Sequence, residues 1–145
     1  MKNRFIYFSI FILILLYSYN AAFASYLEDF NKIQTVSEIC MSQTGGNTQV
    51  ANECSIKEQH AWEKEIDKLI VDFKKILTYD DYKLFLKSQK KWEIYKKESF
   101  KIFSKIPSYK SATMFQNIQQ GCKTGIVKQR ALNLYEYLQY FKEDN

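Results

Sequence analysis

Along most of this chain apolar residues return every three or four positions, the interval that aligns side chains on one face of a helix, and no stretch of comparable length alternates like a strand. The first such segment runs from about Asn52 to Leu77. Ile56, Trp62, Ile66, Leu69, Phe73 and Ile76 or Leu77 share a face there, and Asn52 is a candidate N-cap. "TYDD", Thr78 to Asp81, interrupts the pattern, with Asp80 placed to cap the second helical segment.

That second segment spans Asp81 to about Lys105. At about 100° per residue, Phe85, Ser88, Trp92, Tyr95, Ser99, Ile102, Phe103 and Ile106 fall on or near one stripe. Lys83, Lys87, Lys90, Lys97 and Lys101 gather on the other side. Pro107, the single proline, disfavours helical geometry at Ile106 and closes the segment.

The third segment, about Ser111 to Phe141, carries two stripes rather than one. Phe115, Ile118, Cys122 and Ile126 share a face, while Ala131, Leu134, Leu138 and Phe141 share another. Gly121 and Gly125 each weaken a helix by roughly 1 kcal/mol relative to alanine, so a kink or break between Cys122 and Arg130 is expected to turn both stripes inward.

Ahead of these segments the text from Ser25 to about Asn52 is polar, includes "TGGNT" and has no sustained period. It reads as an arm with one short helix near Tyr26 to Ile33. The fold expected is therefore all-α: three long amphipathic helices in an antiparallel bundle with an irregular N-terminal arm. The division expected is 1–24 signal peptide, 25–51 arm and 52–145 helical domain.

The leader rests on a tripartite pattern. Lys2 and Arg4 precede an apolar run from Phe5 to about Tyr17, and Ala22-Phe23-Ala24 supplies small residues for cleavage after Ala24. The run is shorter than the ~20 residues a membrane-spanning helix needs, which favours a leader over an anchor. A periplasmic or secreted protein is expected, with no transmembrane segment after cleavage.

Removing Lys2 and Arg4 leaves 19 basic residues against 16 acidic, a net +3. That mild excess suits an anionic envelope surface and falls well short of a nucleic-acid binder. Three cysteines in an exported chain imply one disulfide and one thiol. No CxxC occurs and His60 is the only histidine, so neither a metal site nor a cofactor is implied. Asp80 and Asp81 suit a helix start, and nothing pairs a nucleophile with a base; a non-enzymatic protein is expected.

Two constellations remain. Trp92 and Tyr95 are either a ligand platform or, as aromatics at helical spacing more often are, part of the core. Arg130, with Gln89 and Lys96, is placed to form a polar cluster, functional or simply structural.

The same residues carry a resemblance. "QKKWEIYK", Gln89 to Lys96, and "CKTGIVKQRALNL", Cys122 to Leu134, resemble the Q-x-x-W-x-x-[YF]-R and C-x-x-x-L-T-x-x-R-x-x-x-L patterns of the LprI-like family. "CMSQTGGNTQVANEC", Cys40 to Cys54, is similar to that family's C…T-x-x-M-N-x-C opening. The family comprises small exported bacterial proteins named for a lysozyme inhibitor. The likeness spans about Cys40 to Leu138. The chain departs from the pattern at Ala51, Lys96 and Val127, where the family has methionine, arginine and threonine, and at Phe100, where it has its usual third cysteine.

The resemblance implies that the bridge relatives make from the position of Cys54 to that of Phe100 is replaced here by apolar packing. It pairs Cys40 with Cys122 and leaves Cys54 as the thiol; the local pair Cys40 with Cys54 is the alternative. For Gln89, Trp92, Tyr95, Lys96 and Arg130 it implies family-motif positions that are structural. For function it implies inhibition of a lysozyme. The alternative is an envelope-associated structural or adaptor module whose lysine face, Lys83, Lys87, Lys90, Lys97 and Lys101, touches anionic lipid or cell-wall polymer.

Overall fold

The computed structural model describes residues 26–106 and 114–143. The expected leader and its cleavage point, Pro107 and Ser111 lie outside these residues. Four helices are described: α1 over 26–42, α2 Thr48–Ile76, α3 Tyr79–Phe103 and α4 Met114–Glu143. No strand occurs among the described residues.

Contacts divide the chain into two compact units at Thr35 and Val36. The described part of the first is helical, with Tyr26 and Phe30 buried and set edge-on at 6.2 Å. The arm is thus not irregular: helix continues to residue 42, nine residues past the expected Ile33.

In the second unit, Gly45 and Gly46 take φ of 55° and 83° in the turn between α1 and α2, a region glycine enters without steric cost. Asn47, not Asn52, caps α2, its side chain accepting from the backbone N–H groups of Gln49 and Val50. The helix starts earlier than its apolar stripe does. The turn sets Cys40 opposite Cys54, Cα to Cα 5.8 Å, and the two form the disulfide. One turn further along each helix, the Ser37 hydroxyl donates to the Glu58 carboxylate at 2.6 Å.

The bond corrects the favoured pairing of Cys40 with Cys122. A tight glycine turn brings Cys40 back against α2, where a loose arm would have left it able to reach elsewhere. Cys122 is the free thiol and Cys54 is buried.

Thr78, not Asp80, caps α3. Its hydroxyl oxygen accepts from the Asp81 backbone N–H and its hydroxyl donates to the Asp81 carboxylate, a reciprocal arrangement within the first turn. Asp80 and Asp81 fall in that turn, where negative charge is favourable.

The core lies between α2 and α4. Trp62, Ile66, Leu69 and Phe73 of α2 are buried, as are Val127, Ala131, Leu134 and Leu138 of α4. The two helices run in the same direction: the Thr124 hydroxyl donates to the Ser55 carbonyl at 3.0 Å at one end, and Phe73 meets Phe141 edge-on at 6.2 Å at the other. α3 runs against α4, since Gln89 meets Arg130 and Phe100 lies under the Lys123 ammonium at 5.8 Å. Up-down-up order results, with the α2–α4 pair packed far more extensively than α3 against α4.

α4 is one unbroken helix, so the expected kink is absent. Its inward positions are Gln120, Thr124, Val127, Ala131, Leu134 and Leu138, a continuous stripe whose first two members are polar. Gln120 Nε2 donates to Gln59 Oε1 at 2.9 Å. With the polar end of the stripe bonded in this way, no second apolar stripe has to turn inward. Ile118 and Phe141 are largely exposed, and a Cβ at Gly121 or Gly125 would meet nothing within 4 Å.

Candidate functional site

α3 has a single fully buried residue, and it is an amide, Gln89. At about 100° per residue, the arc that turns toward the other helices centres on Phe85, Gln89, Trp92, Lys96, Phe100 and Phe103. This is rotated from the expected stripe. Tyr95 and Ile102 are 57% and 64% exposed, and Ser88 is exposed as well. Aromatics therefore divide: Phe85 stacks on Phe73 at 4.4 Å, Trp92 is half-buried, and Tyr95 is open to solvent.

Opposite this arc stands Arg130 of α4. Its Nε and Nη2 both donate to Gln89 Oε1, at 3.1 and 2.7 Å, and its guanidinium lies over the Trp92 ring at 5.6 Å. The Lys96 ammonium sits 4.8 Å from the same ring and bonds Glu93 at 2.8 Å. Burial lowers the Arg130 pKa from its ordinary value, while the nearby Tyr137 and Glu93 raise it. The guanidinium remains charged, and the indole is the apolar surface on which two cations rest.

The structure thus brings together Gln89, Trp92, Lys96 and Arg130. It leaves Tyr95 at the edge and spreads Lys83, Lys87, Lys90, Lys97 and Lys101 over the exposed side of α3. Lys101 is paired with Glu98 at 2.8 Å.

Between α3 and α4 runs an open groove of about 450 Å³. Trp92, Tyr95 and Phe103 form its α3 wall. From α4 come Cys122, Gly125, Ile126 and the polar trio Gln129, Arg130 and Asn133. Gln129 Nε2 donates to Asn133 Oδ1 at 2.7 Å. Of the groove residues on α4, apolar spacing names Cys122 and Ile126 and misses the four that are polar or glycine; among those four, the basic residue at the end of "CKTGIVKQR" is the one sequence signal.

Removing either half of the Arg130–Gln89 pair should have unequal effects. Gln89 is buried and its Nε2 has no hydrogen-bond partner among the described residues, so Arg130→Met strands the whole amide and should cost about 2–3 kcal/mol. Gln89→Leu leaves a guanidinium that still reaches water and should cost about 1 kcal/mol or less. Urea unfolding of both variants, monitored by far-UV circular dichroism, measures the difference; equal losses contradict it.

Among the described residues no group of His, Cys, Asp and Glu is arranged to hold a metal ion, and no helix is long and apolar enough to cross a membrane. Fold and seam together define a small all-helical protein with a disulfide-closed hairpin and a solvent-facing seam between its last two helices. A family model described as lysozyme inhibitor LprI matches residues 40–134, most of the chain, and the chain belongs to that family. No curated protein and no solved structure matches it.

Proposed function

We propose that this chain is an exported helical binding protein that inhibits a lysozyme. The family match over residues 40–134 carries the reading. The Cys40–Cys54 bond supports a compartment beyond the cytoplasm, where disulfides persist. The protein acts by occupying a surface rather than by chemistry.

Charge sets a condition on how it binds. With a net +3 after leader removal, it has no long-range attraction for the strongly basic lysozymes of animals, so affinity comes from short-range contacts. Inhibition should therefore persist, or strengthen, as salt rises toward the physiological range. A cell-wall clearing assay with the chain from Ser25 onward tests both points. Undiminished lysis at large molar excess sinks the inhibitor reading, and inhibition that disappears with added salt sinks the short-range account.

The lysine side of α3 supports a second reading. Lys83, Lys87, Lys90, Lys97 and Lys101 are all exposed on one helix, and such a face suits anionic lipid or cell-wall polymer. Sedimentation with envelope fragments across a salt series checks it. Binding indifferent to salt, or no binding, excludes the lysine face.

A further inference from the structure

We propose that the groove between α3 and α4 binds a carboxylate-bearing saccharide, with Arg130 receiving the carboxylate. The inference stands on the groove itself and does not require that the chain inhibit lysozyme.

Size comes first. About 450 Å³ lies within the range of small-ligand sites, enough for one or two sugar rings and too little for the face of a bound helix. An extended peptide is also poorly served. One that binds by adding a strand needs a sheet edge, and here both walls are helices whose backbone groups are bonded internally.

The lining chemistry then selects among small ligands. Tyr95, 57% exposed, and the edges of Trp92 and Phe103 offer apolar ring surface on one side. Facing them, beside Ile126, are planar polar groups, Gln129 and Asn133, which use one donor and one acceptor on each other. Gln129 Oε1 and Asn133 Nδ2 remain for neighbouring hydroxyls or an acetamido group. Apolar ring faces opposed by planar amides match a sugar, which has C–H groups on its faces and hydroxyls around its rim. Gly125 has no side chain, and a Cβ there would meet nothing within 4 Å, so the floor is open.

Charge fixes the remaining element. No Asp or Glu lines the groove among the described residues, and Arg130 is its one permanently charged group. Two of the guanidinium nitrogens are committed to Gln89, which leaves Nη1 as a donor for an incoming oxyanion. Gln89 is a positioning residue in this account, since it holds the guanidinium flat.

Calorimetric titration of the chain from Ser25 onward tests the proposal. The probes are a tetrasaccharide alternating N-acetylglucosamine with N-acetylmuramic acid, and the N-acetylglucosamine tetrasaccharide, which lacks carboxylates. The acidic probe should bind about tenfold more tightly, the size of one charge-assisted hydrogen bond. Gly125→Leu should fill the groove and remove binding of both. Gly121→Leu, on the same helix but off the groove, should leave both unchanged; each substitution raises helix propensity, so folding is retained. Arg130→Gln should make the two affinities equal.

Co-sedimentation with insoluble peptidoglycan stripped of its stem peptides, which frees the lactyl carboxylates, separates the sources: pelleting that Gly125→Leu abolishes identifies polymer as the ligand, and binding confined to the soluble tetrasaccharide identifies fragments. Either result supports the groove. No heat with either saccharide, equal affinities for the two, binding that survives Gly125→Leu, or tighter binding of a glutamate-rich peptide overturns it.

Discussion

Trp62→Ala should lower the unfolding free energy by about 3–5 kcal/mol, the largest effect expected of any single substitution in this chain. The indole is 1% exposed, so truncation removes its transfer energy and leaves a cavity. Its N–H donates to Glu58 Oε1 at 3.1 Å, and the Lys128 ammonium lies 5.5 Å from the ring centre. Alanine forfeits all three contributions, whereas Trp62→Phe keeps a ring and should recover about half the loss. Chemical denaturation of both variants measures this. A Trp62→Ala loss below about 1 kcal/mol would mean that the α2–α4 interface is not the core.

The second large effect belongs to the disulfide. Closing a loop of this size by cross-linking stabilises a fold by about 3 kcal/mol, chiefly through the unfolded chain; the bonded cysteines are 14 apart in sequence. Replacing both Cys40 and Cys54 by serine should lower stability by that amount. Cys122→Ser should leave it within about 1 kcal/mol, since that thiol is bonded to nothing and only partly buried. A non-reducing peptide map gives an independent check. A linked Cys40–Cys122 fragment would contradict the structure, and an unaffected double variant would show the bond to be stabilising nothing.

Helical class was legible because apolar spacing of three and four dominates α2, and Trp62, Ile66, Leu69 and Phe73 of the face that spacing named are buried, with Ile56, Ile76 and Leu77 half-buried at its ends. The reading failed where inward positions are polar. On α4, Gln120 and Thr124 continue the stripe of Val127 and Ala131, but hydrogen bonds to Gln59 and the Ser55 carbonyl replace apolar contact there. Periodicity of hydrophobic residues cannot register such positions; of the second face it named, Cys122 and Ile126 line the groove toward α3 and Ile118 is exposed. The same effect rotated α3. Gln89 and Lys96 lie on its inner arc, so Tyr95 and Ile102, placed inward by their apolar character, face out.

Local chemistry misled in smaller ways. Asn47 and Thr78 outcompeted Asn52 and Asp80 as caps because a side-chain oxygen must sit where the free N–H groups are, two or three residues ahead. The cysteine pairing turned on Gly45 and Gly46, whose left-handed backbone reverses the chain at once. Of the candidate site, Gln89, Trp92, Lys96 and Arg130 were named from motif positions and do converge. Gln129 and Asn133 were not named, since nothing in their spacing marks them until α3 lies alongside.

The parallel pairing of α2 with α4 has a consequence for how the molecule assembles. Neighbours in sequence, α2 and α3, share little beyond the Phe73–Phe85 stack near their turn, so a nascent chain that ends with these two helices lacks the α4 side chains against which Trp62, Ile66 and Leu69 pack. Burial waits until the segment from Thr124 to Leu138 arrives, which makes the rate-limiting encounter a distant one. A ribosome-bound chain halted before Val127 should therefore be cut by protease in α2 faster than the completed chain.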